Sequence, residues 1–369
     1  MKIGFDAKRL YANPTGLGTY SRTLFNRLTE FYPDENYKLF IHKKFYDQTL
    51  FKYPYFTQNT IISDHFNDKV WRKKAIAEDI QKNQIQIFHG LSNELPALKN
   101  DVRKVVTIHD VIFKKLPKTF SLFDRTIYNY KTQEALNLAD AVIAVSQQTK
   151  EDILEYFKVD ESKIHLIYPT WNKEYEHDCT YALKEEFIEK FDLPRDFILY
   201  VGSISKRKNF ITLLKAMALP ENSDKNLVVV SGGGDEYNDA LSFIYEKKLE
   251  DRIFFLNNIL WYELPIIYHI SQGLVYPSFY EGFGLPVLEA LVCGKPAITS
   301  NISSMPEVGG DACIFIDPKN VEELSNAINF IYYNLSLAEE IKYKAVAQIQ
   351  KFHPEKITRQ LYQLYETLI

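Results

Sequence analysis

The sequence is poor in cysteine, with three residues, Cys179, Cys293 and Cys313, spread over 369 positions. None has a partner at CxxC spacing, so the sequence predicts neither a disulfide framework nor a zinc or redox pair. Long apolar runs are also missing, since no stretch approaches the roughly 20 apolar residues that a membrane-spanning helix needs. The first residues form a strand-like run without the apolar segment of a secretory signal. We therefore expect a cytoplasmic protein.

A large excess of charge of one sign is lacking too. The formal net charge is −4 and the isoelectric point is near 6.1, which argues against a general surface for nucleic acid. Two local basic clusters, residues 72–74 and 114–115, suit either of two roles. They could contact anionic lipid headgroups at the inner face of a membrane, or they could lie on solvated helix faces.

What the sequence does contain is a series of short apolar runs that alternate with helix-like segments. Such runs are typical of parallel strands buried on both faces. The chain is longer than one hydrophobic core normally supports, and the alternation restarts after a polar stretch at 172–180. We predict two serial α/β domains, residues 1–172 and 173–351, with residues 352–369 returning to the first. The strand-like runs are 2–6, 38–42, 85–89, 105–109, 141–145 and 164–168, and then 197–201, 227–230, 253–256, 273–276, 297–299 and 314–316.

Ligands of such sheets bind beyond the carboxyl ends of the strands, and the most informative segment of this kind runs from Glu281 to Glu289. A glycine-rich turn is followed by Pro286, which suits the first position of a helix. Free amides and the positive helix end can receive sugar hydroxyls or phosphate oxygens. Either glutamate alone would suit an ordinary turn or the helix dipole.

The segment EGFGLPVLEAL contains Glu-x7-Glu and is similar to the motif of the family 4 retaining glycosyltransferases, which have the GT-B fold. The flanking stretches LVYPS and CGKPAITSNISSMPEVGG resemble the second domain of that family. DAKRL, TGLGTY, TIHD and AVSQQTKEDI resemble its first domain and stand in the expected order. The combination most resembles the bacterial mannosyltransferases that build surface polysaccharides.

This resemblance implies two Rossmann-like domains whose parallel sheets face each other across a cleft. It also implies retaining transfer of a hexose, with mannose favoured, from a nucleoside-diphosphate sugar, with GDP-mannose favoured, to a glycan or lipid-linked acceptor. No cofactor is expected. Because the loops hold no Asp-x-Asp, we also expect no metal, with cationic side chains stabilising the departing diphosphate instead.

Carried onto this sequence, the resemblance places Glu281 beside the transferred hexose and Glu289 on the ribose hydroxyls. The backbone amides that would grip the sugar and the diphosphate are those of Gly282, Phe283, Gly284 and Leu285. In the loop 202–209, Arg207 and Lys208 suit a diphosphate. The guanidinium can bind two phosphate oxygens at once, and the ammonium acts as a point charge. Some family members carry an arginine where this chain has Ser203, and an isolated basic run would ordinarily be solvated surface.

In the first domain, Gly16 and Gly18 precede a helix expected from Thr19–Tyr20. Alone they are a weak dinucleotide signal, because Ser21 replaces the third glycine; the resemblance implies that they face the donor phosphate and the acceptor. His109 ends a strand within TIHD. The resemblance implies that it hydrogen-bonds the hexose hydroxyls or interacts with the charge that develops near the anomeric carbon, in a protonation state that the sequence leaves open. Glu281, His109 and Lys208 are thus the predicted catalytic residues.

Weaker candidates are His89, at another strand end, the loop 231–234 as a nucleotide contact, and the turn 257–259 as a contact of the base. Three other functions stay open. A nucleotide-sugar 2-epimerase shares this architecture, and a non-catalytic sugar-nucleotide-binding protein is suggested only by Ser203. An oxidoreductase is disfavoured because the first glycine motif has no ribose-binding carboxylate.

Overall fold

The computed structural model describes residues 1–46, 56, 58–99, 101–257, 259–334 and 337–369. The chain forms two compact units. Unit 1 consists of Met1–Thr170 and Pro354–Ile369, and unit 2 consists of Trp171–His353. The sequence placed the change of domain between 172 and 173, two residues later than the change of unit.

Strands and helices alternate through most of the described chain. The strands are β1 (Lys2–Asp6), β2 (Asn36–His42), β3 (Thr60–Ser63), β4 (Ile87–Gly90), β5 (Arg103–Ile108), β6 (Ala141–Ala144), β7 (Ile164–Leu166), β8 (Ile198–Val201), β9 (Leu227–Val230), β10 (Ile253–Leu256), β11 (Gly273–Tyr276), β12 (Ala297–Ser300) and β13 (Cys313–Ile316). The helices of the first half are α1 (Lys8–Ala12), α2 (Gly16–Phe31), α3 (Asp68–Val70), α4 (Ile76–Lys82), α5 (Ile112–Lys115), α6 (Leu122–Leu138) and α7 (Gln147–Tyr156). Those of the second half are α8 (Tyr181–Phe191), α9 (Phe210–Met217), α10 (Tyr237–Glu246), α11 (Leu264–Ile270), α12 (Leu285–Val292), α13 (Met305–Gly309), α14 (Val321–Tyr333), α15 (Leu337–Ile349) and α16 (Pro354–Leu368).

Each unit is built on a parallel sheet, as the apolar runs predicted. The strand order is β3-β2-β1-β4-β5-β6-β7 in unit 1 and β10-β9-β8-β11-β12-β13 in unit 2. The central strands β4, β6, β11 and β12 are buried along their whole length. Helices cover both faces of a parallel sheet, so side chains on both sides of a central strand are buried. A continuous apolar run suits such a strand, because an alternating run would bury polar side chains. Across the described ranges, no helix has the length and apolarity that crossing a bilayer requires.

Each sheet has one point at which the strand order reverses. In unit 1 the chain runs from β1 outward through β2 and β3, and then resumes at β4 on the other side of β1. In unit 2 the corresponding reversal lies between β8 and β11. Loops that leave two such strands diverge, so a crevice opens between them where ligands of α/β sheets bind. We therefore expect ligands beside the loops that follow β1, β4, β8 and β11.

The C-terminal helix α16 packs within unit 1, as the sequence predicted. The ring of Tyr362 stacks on that of Tyr32 with centroids 3.7 Å apart, and its hydroxyl donates to Glu35 Oε1 at 2.6 Å. Tyr365 is fully buried, and its hydroxyl lies 2.7 Å from His89 Nδ1. These contacts join the last helix of the chain to elements of its first ninety residues.

The start of α2 differs from the expectation. The helix begins at Gly16, not at Thr19–Tyr20, so the sequence-based boundary is wrong by about one turn. Thr15 is extended and its carbonyl accepts from Gly18 N at 2.9 Å, which starts the helix early. A Cβ on Gly18 would overlap the carbonyl of Asn13. The glycine therefore allows the preceding loop to fold tightly onto the first turn.

Candidate active site

Glu281 is the centre of a cluster of polar contacts in the loop after β11. Its Oε1 accepts hydrogen bonds from Tyr276 Oη at 2.8 Å and from Ser278 Oγ at 3.0 Å. The same oxygen pairs with Arg207 Nη1 at 2.6 Å and with Lys208 Nζ at 3.1 Å. Within the described residues, Oε2 makes no hydrogen bond. One carboxylate oxygen thus fixes two cations, and the other can still accept a hydrogen bond from a ligand.

The charge state of Glu281 follows from these neighbours. Burial of the side chain alone would raise its pKa, but the positive charges of Arg207 and Lys208 and the hydrogen bonds from Arg207 and Tyr276 lower the pKa to about 2. The group is therefore a carboxylate at neutral pH and cannot donate a proton there. Two cations and one anion leave the cluster with a net positive charge, which suits a phosphate ligand.

The basic residues stand on a short 3-10 turn, Lys206–Lys208, that follows β8. Asn209 closes this turn in the left-handed conformation, with φ of 58°. Its Nδ2 donates to the carbonyls of Pro277 at 3.0 Å and Pro318 at 2.6 Å. A buried asparagine thereby fastens the loop after β8 to the loop after β11, the two loops that flank the reversal point of unit 2.

Further contacts fix the basic side chains themselves. Arg207 donates from Nη1 to the carbonyl of Tyr280 at 3.0 Å, and its own carbonyl accepts from Phe279 N at 2.8 Å. A Cβ on Gly202 would come within 3.1 Å of the Lys208 side chain. The glycine at the end of β8 thus makes room for the aliphatic part of the lysine, and its ammonium lies 4.6 Å from the centre of the Tyr276 ring.

The glycine-rich turn leads into α12 through Gly284, which has φ of 109°. A Cβ there would overlap the side chain of Met305, so both conformation and space favour glycine. The sequence predicted Pro286 at the first position of the helix. The helix begins at Leu285, so Pro286 is its second residue. In the first turn of the helix, Val287 N already donates to the Gly284 carbonyl at 3.0 Å. The contact of the amides of Gly282, Phe283, Gly284 and Leu285 with the sugar and the diphosphate stays a prediction.

Two serines that sequence reasoning missed hold the turn in place. Ser304 Oγ donates to the carbonyls of Glu281 at 3.0 Å and Phe283 at 2.8 Å. Ser303 Oγ donates to the Glu281 carbonyl at 2.7 Å and accepts from its N–H at 3.1 Å. The turn carbonyls are therefore drawn toward the loop after β12. The stretch SNISS carried a signal for this role, since it follows a strand and is rich in hydroxyls.

Glu289 has the opposite environment to that of Glu281. It is only 4% exposed, and its Oε2 accepts from Tyr268 Oη at 2.9 Å. Burial raises its pKa to about 7, although hydrogen bonds from Tyr268 and Tyr175 oppose the rise. The proposed contact with ribose hydroxyls stays a prediction. The structure adds two phenol partners that the sequence spacing did not indicate.

Replacing Glu289 with glutamine should make unit 2 more stable than the wild type at pH 8 and change little at pH 5. The pKa of Glu289 is about 7 in the folded state and lies above the ordinary value of 4.5. Between pH 4.5 and 7, Glu289 is therefore protonated in the folded state and ionised in the unfolded state. The wild type therefore loses stability as pH rises from about 4.5 to 7, by about 3 kcal/mol in all. Calorimetric unfolding of both proteins at the two pH values measures the difference. A difference that is independent of pH would contradict the raised pKa.

The loop 231–234 lies against the basic loop of unit 2. Ile204 N donates to the Gly233 carbonyl at 3.0 Å, and a Cβ on Gly234 would overlap the backbone of Ile204. By contrast, a Cβ on Gly232 would meet no atom within 4 Å. Packing explains Gly234, while the contact of this loop with a nucleotide stays a prediction. Asn258, in the turn expected to meet the base, lies outside the described residues.

His109 follows β5 in unit 1 and is half-buried. Its Nε2 lies 2.9 Å from the Leu91 carbonyl, so this nitrogen carries the proton. The edge-on ring of Tyr20 is 4.7 Å away between centroids. Burial lowers the pKa of His109 to about 4, and the charge of Arg9 lowers it as well, against the hydrogen bond to Leu91. The imidazole is therefore neutral at pH 7, and its Nδ1, which has no hydrogen bond within the described chain, is an acceptor.

The other predicted residues of unit 1 divide into two cases. Gly16 is the exposed first residue of α2, whereas Gly18 is buried and its N–H is already bonded to Thr15. Their contact with the donor stays a prediction. His89 is fully buried, with Nδ1 on Tyr365 and Nε2 2.8 Å from Thr107 Oγ1. The suggestion that His89 serves a ligand is wrong, because both of its nitrogens are used inside the core.

The structure thus brings Glu281, Arg207 and Lys208 together at the reversal point of unit 2, and it places His109 near that of unit 1. Sequence reasoning missed Tyr276 and Ser278, the partners of Glu281. Both stand at the end of β11, within LVYPS, so the rule that favours residues after strands would have included them. It could not show that their hydroxyls converge on one carboxylate oxygen.

Comparison with known proteins gives a consistent family. Residues 183–348 match the model for glycosyl transferases group 1, and residues 41–174 match that for glycosyltransferase family 4. The chain is 29% identical to O-antigen chain mannosyltransferase B of Escherichia coli, and the match covers 100% of both chains.

Two solved structures show the same fold. Sucrose-phosphate synthase from Thermosynechococcus elongatus superposes with a TM-score of 0.81 at 21% identity, over 100% of this chain and 99% of that one. HepE of Anabaena in complex with UDP-glucose gives 0.75 at 18% identity over 100% of both. In this chain the fold consists of parallel sheets of seven and six strands with helices. The chain is therefore a family 4 glycosyltransferase with the GT-B fold.

Proposed function

We propose that this glycosyltransferase transfers a hexose, with mannose favoured, from a nucleoside-diphosphate sugar to a glycan or lipid-linked acceptor, with retention of anomeric configuration. The observation that carries the proposal is the cluster at the reversal point of unit 2. There a permanent carboxylate, Glu281, holds Arg207 and Lys208 side by side. Such an arrangement is suited to a ligand that carries both a sugar and a diphosphate.

Arg207 and Lys208 stabilise the leaving group in this proposal. When the bond between the sugar and the diphosphate breaks, negative charge grows on the phosphate oxygens, and fixed cations lower the energy of that state. The planar guanidinium can bind two oxygens at once, and the ammonium acts as a point charge. Because the cations supply this stabilisation, we propose that the reaction proceeds without a metal ion.

Glu281 and His109 act on the sugar in this proposal. Glu281 Oε2 and the neutral His109 Nδ1 are both acceptors, so each can take a hydrogen bond from a hexose hydroxyl. Glu281 stays charged and also stabilises the positive charge that develops at the anomeric carbon. The acceptor hydroxyl attacks from the face that the diphosphate leaves, and the departing phosphate takes its proton, which retains the configuration.

GDP-mannose is the favoured donor because the full-length relative in Escherichia coli is named as an O-antigen chain mannosyltransferase. By the same relation we propose a role in polysaccharide synthesis at the cytoplasmic face of the membrane. At the start of α6, Leu122 and Phe123 are 78% and 74% exposed, which suits peripheral contact with lipid. In the basic cluster 72–74, Arg72 forms ion pairs with Asp6 and Glu94, whereas Lys73 and Lys74 are exposed.

The test is a transfer reaction with GDP-mannose, UDP-glucose, UDP-N-acetylglucosamine or dTDP-rhamnose, with the protein first treated with EDTA. We expect one donor to give a glycosylated acceptor whose new bond has the anomeric configuration of the donor, read by NMR. A changed free sugar without an acceptor product would identify an epimerase. Inversion at the anomeric carbon, or activity that returns only with a divalent cation, would overturn the corresponding part of the proposal.

A further inference from the structure

A group of charged side chains surrounds the reversal point of unit 1, where the loops after β1 and β4 diverge. We call it the charged cluster of unit 1. It contains four cations and two carboxylates, so its net charge is 4 − 2 = +2. Its members are Asp6, Lys8, Arg9, Arg72, Glu94 and Lys131.

The carboxylates of this cluster are already paired with two of the cations. Arg72 donates from Nε to Asp6 Oδ2 at 3.1 Å, and its Nη1 pairs with Glu94 Oε2 at 2.7 Å. Lys131 Nζ pairs with the other oxygen of Glu94, also at 2.7 Å. Both oxygens of Glu94 and one of Asp6 are thereby taken, and the remaining Asp6 oxygen accepts from Lys8 N at 3.0 Å. Each carboxylate oxygen of the cluster thus already has a partner other than Arg9.

Arg9 is the unusual member of the cluster. Within the described ranges, no carboxylate lies within 4 Å of its guanidinium, and its Nε is buried without a hydrogen-bond partner. A buried N–H without an acceptor is destabilising, because the group has lost its hydrogen bonds to water. Next to it in sequence, Lys8 places its ammonium 4.4 Å from the centre of the Phe45 ring. It makes no ion pair within 4 Å among the described residues, although the charges of Glu94 and Asp6 act on it from a greater distance. Two adjacent cations at a ligand-binding position of the fold therefore have no direct ion pair in the part of the chain that the structure describes.

Arg9 also lies within electrostatic reach of His109. Its charge contributes to the lowered pKa values of both His109 and Glu94. Arg9 follows β1, Glu94 follows β4 and His109 follows β5, and these three strands are neighbours in the sheet. The guanidinium thus belongs to the same edge of the sheet as the imidazole that the proposed mechanism uses.

We propose that Arg9, assisted by Lys8, binds a phosphoryl group of the acceptor substrate beside His109. The assignment to the acceptor rests on the proposed function, in which the donor diphosphate is bound by Arg207 and Lys208 in unit 2. A phosphoryl group supplies oxygens to a guanidinium that has no ion pair among the described residues, and arginine binds such groups through two parallel hydrogen bonds. The chain then selects acceptors that carry phosphate close to the hydroxyl that reacts.

The experiment uses the full chain labelled with ¹³C at histidine Cε1 and titrated with inorganic phosphate at pH 7. The resonance that disappears in His109→Asn identifies His109. We expect phosphate to shift this resonance, whereas that of His89, which is enclosed in the core, stays in place. Arg9→Gln should weaken the phosphate response at least tenfold, because it removes a charged hydrogen-bonding partner. Arg9→Lys, which keeps the charge, should retain a weaker response.

Arg125→Gln is the matched control, since it is the same substitution in the same unit, and its response should equal that of the wild type. Repeating the titration with saturating GDP separates the two sources of phosphate. A response that persists supports an acceptor site, whereas one that GDP abolishes assigns Arg9 to the donor and overturns the proposal. So does an unchanged response in Arg9→Gln. Because the titration needs no turnover, a phosphate response without hexose transfer would contradict the proposed function alone.

Discussion

Glu281→Ala should lower the rate of hexose transfer about 10³-fold, the size of effect seen when a preorganised electrostatic group is removed from an active site. The substitution removes the anion that holds Arg207 and Lys208 together, and two cations left side by side repel each other. It also removes Oε2, the oxygen available to a sugar hydroxyl. Initial rates at saturating donor measure the loss. Glu246→Ala, an exposed position of unit 2, is the control and should transfer at the wild-type rate.

Glu281→Gln separates the charge of this residue from its shape. The amide oxygen can still accept from Tyr276 and Ser278, but it no longer neutralises the two cations. We expect transfer to fall almost as far as in the alanine variant, because the position of the phosphate-binding cations depends on the charge. A glutamine variant with near-wild-type activity would show that hydrogen bonding alone organises the site, and it would contradict the proposed electrostatic role.

The same variant tests the lowered pKa of Glu281. Its folded pKa of about 2 lies below the ordinary value of 4.5, so the unfolded state binds the proton first as pH falls. The carboxylate therefore contributes stability that is fully present above about pH 4.5 and is lost as pH falls through 2, by about 3 kcal/mol in all. The wild type should therefore exceed Glu281→Gln in free energy of unfolding by a margin that decreases as pH falls from about 4.5 to 2.

The fold could be predicted from the sequence to a large extent because its main determinant is local. A run such as that of β6, Ala141–Ala144, is apolar throughout, and only a sheet covered on both faces buries such a run completely. The start of α2 could not be predicted in the same way. It depends on a tight approach of the Asn13 carbonyl to Gly18, and this approach is a tertiary contact that no local pattern records.

The site could be predicted in its positions but not in its electrostatics. The segment 281–289 contains two glutamates, and sequence reasoning gave each a ligand to bind. In the structure, cations lower the pKa of Glu281, while burial beside phenols raises that of Glu289. The difference arises from partners on other elements, Arg207 and Lys208 for one carboxylate and Tyr268 for the other. Spacing along the chain cannot show which partner a side chain will meet.

Lys208→Met should lower the rate of hexose transfer about 10²-fold with a smaller change in donor affinity. The methionine side chain can still fill the space beside Gly202, so the loop keeps its packing while the ammonium is lost. Charge on the leaving phosphate is greater in the transition state than in the bound donor, so a cation placed there contributes more to the rate than to binding. Steady-state kinetics with varied donor separate kcat from KM.

Lys206→Met is the matched control, because Lys206 stands two residues earlier on the same turn and is exposed. It should leave kcat unchanged, which would show that the general positive charge of the loop is not what matters. Lys208 is more informative than Arg207 for this purpose. The Arg207 guanidinium also holds the Tyr280 carbonyl, so its loss would disturb the loop around Glu281 as well as the charge. In Lys208→Met the backbone contacts of both loops remain, and a fall in kcat then reports the missing charge itself.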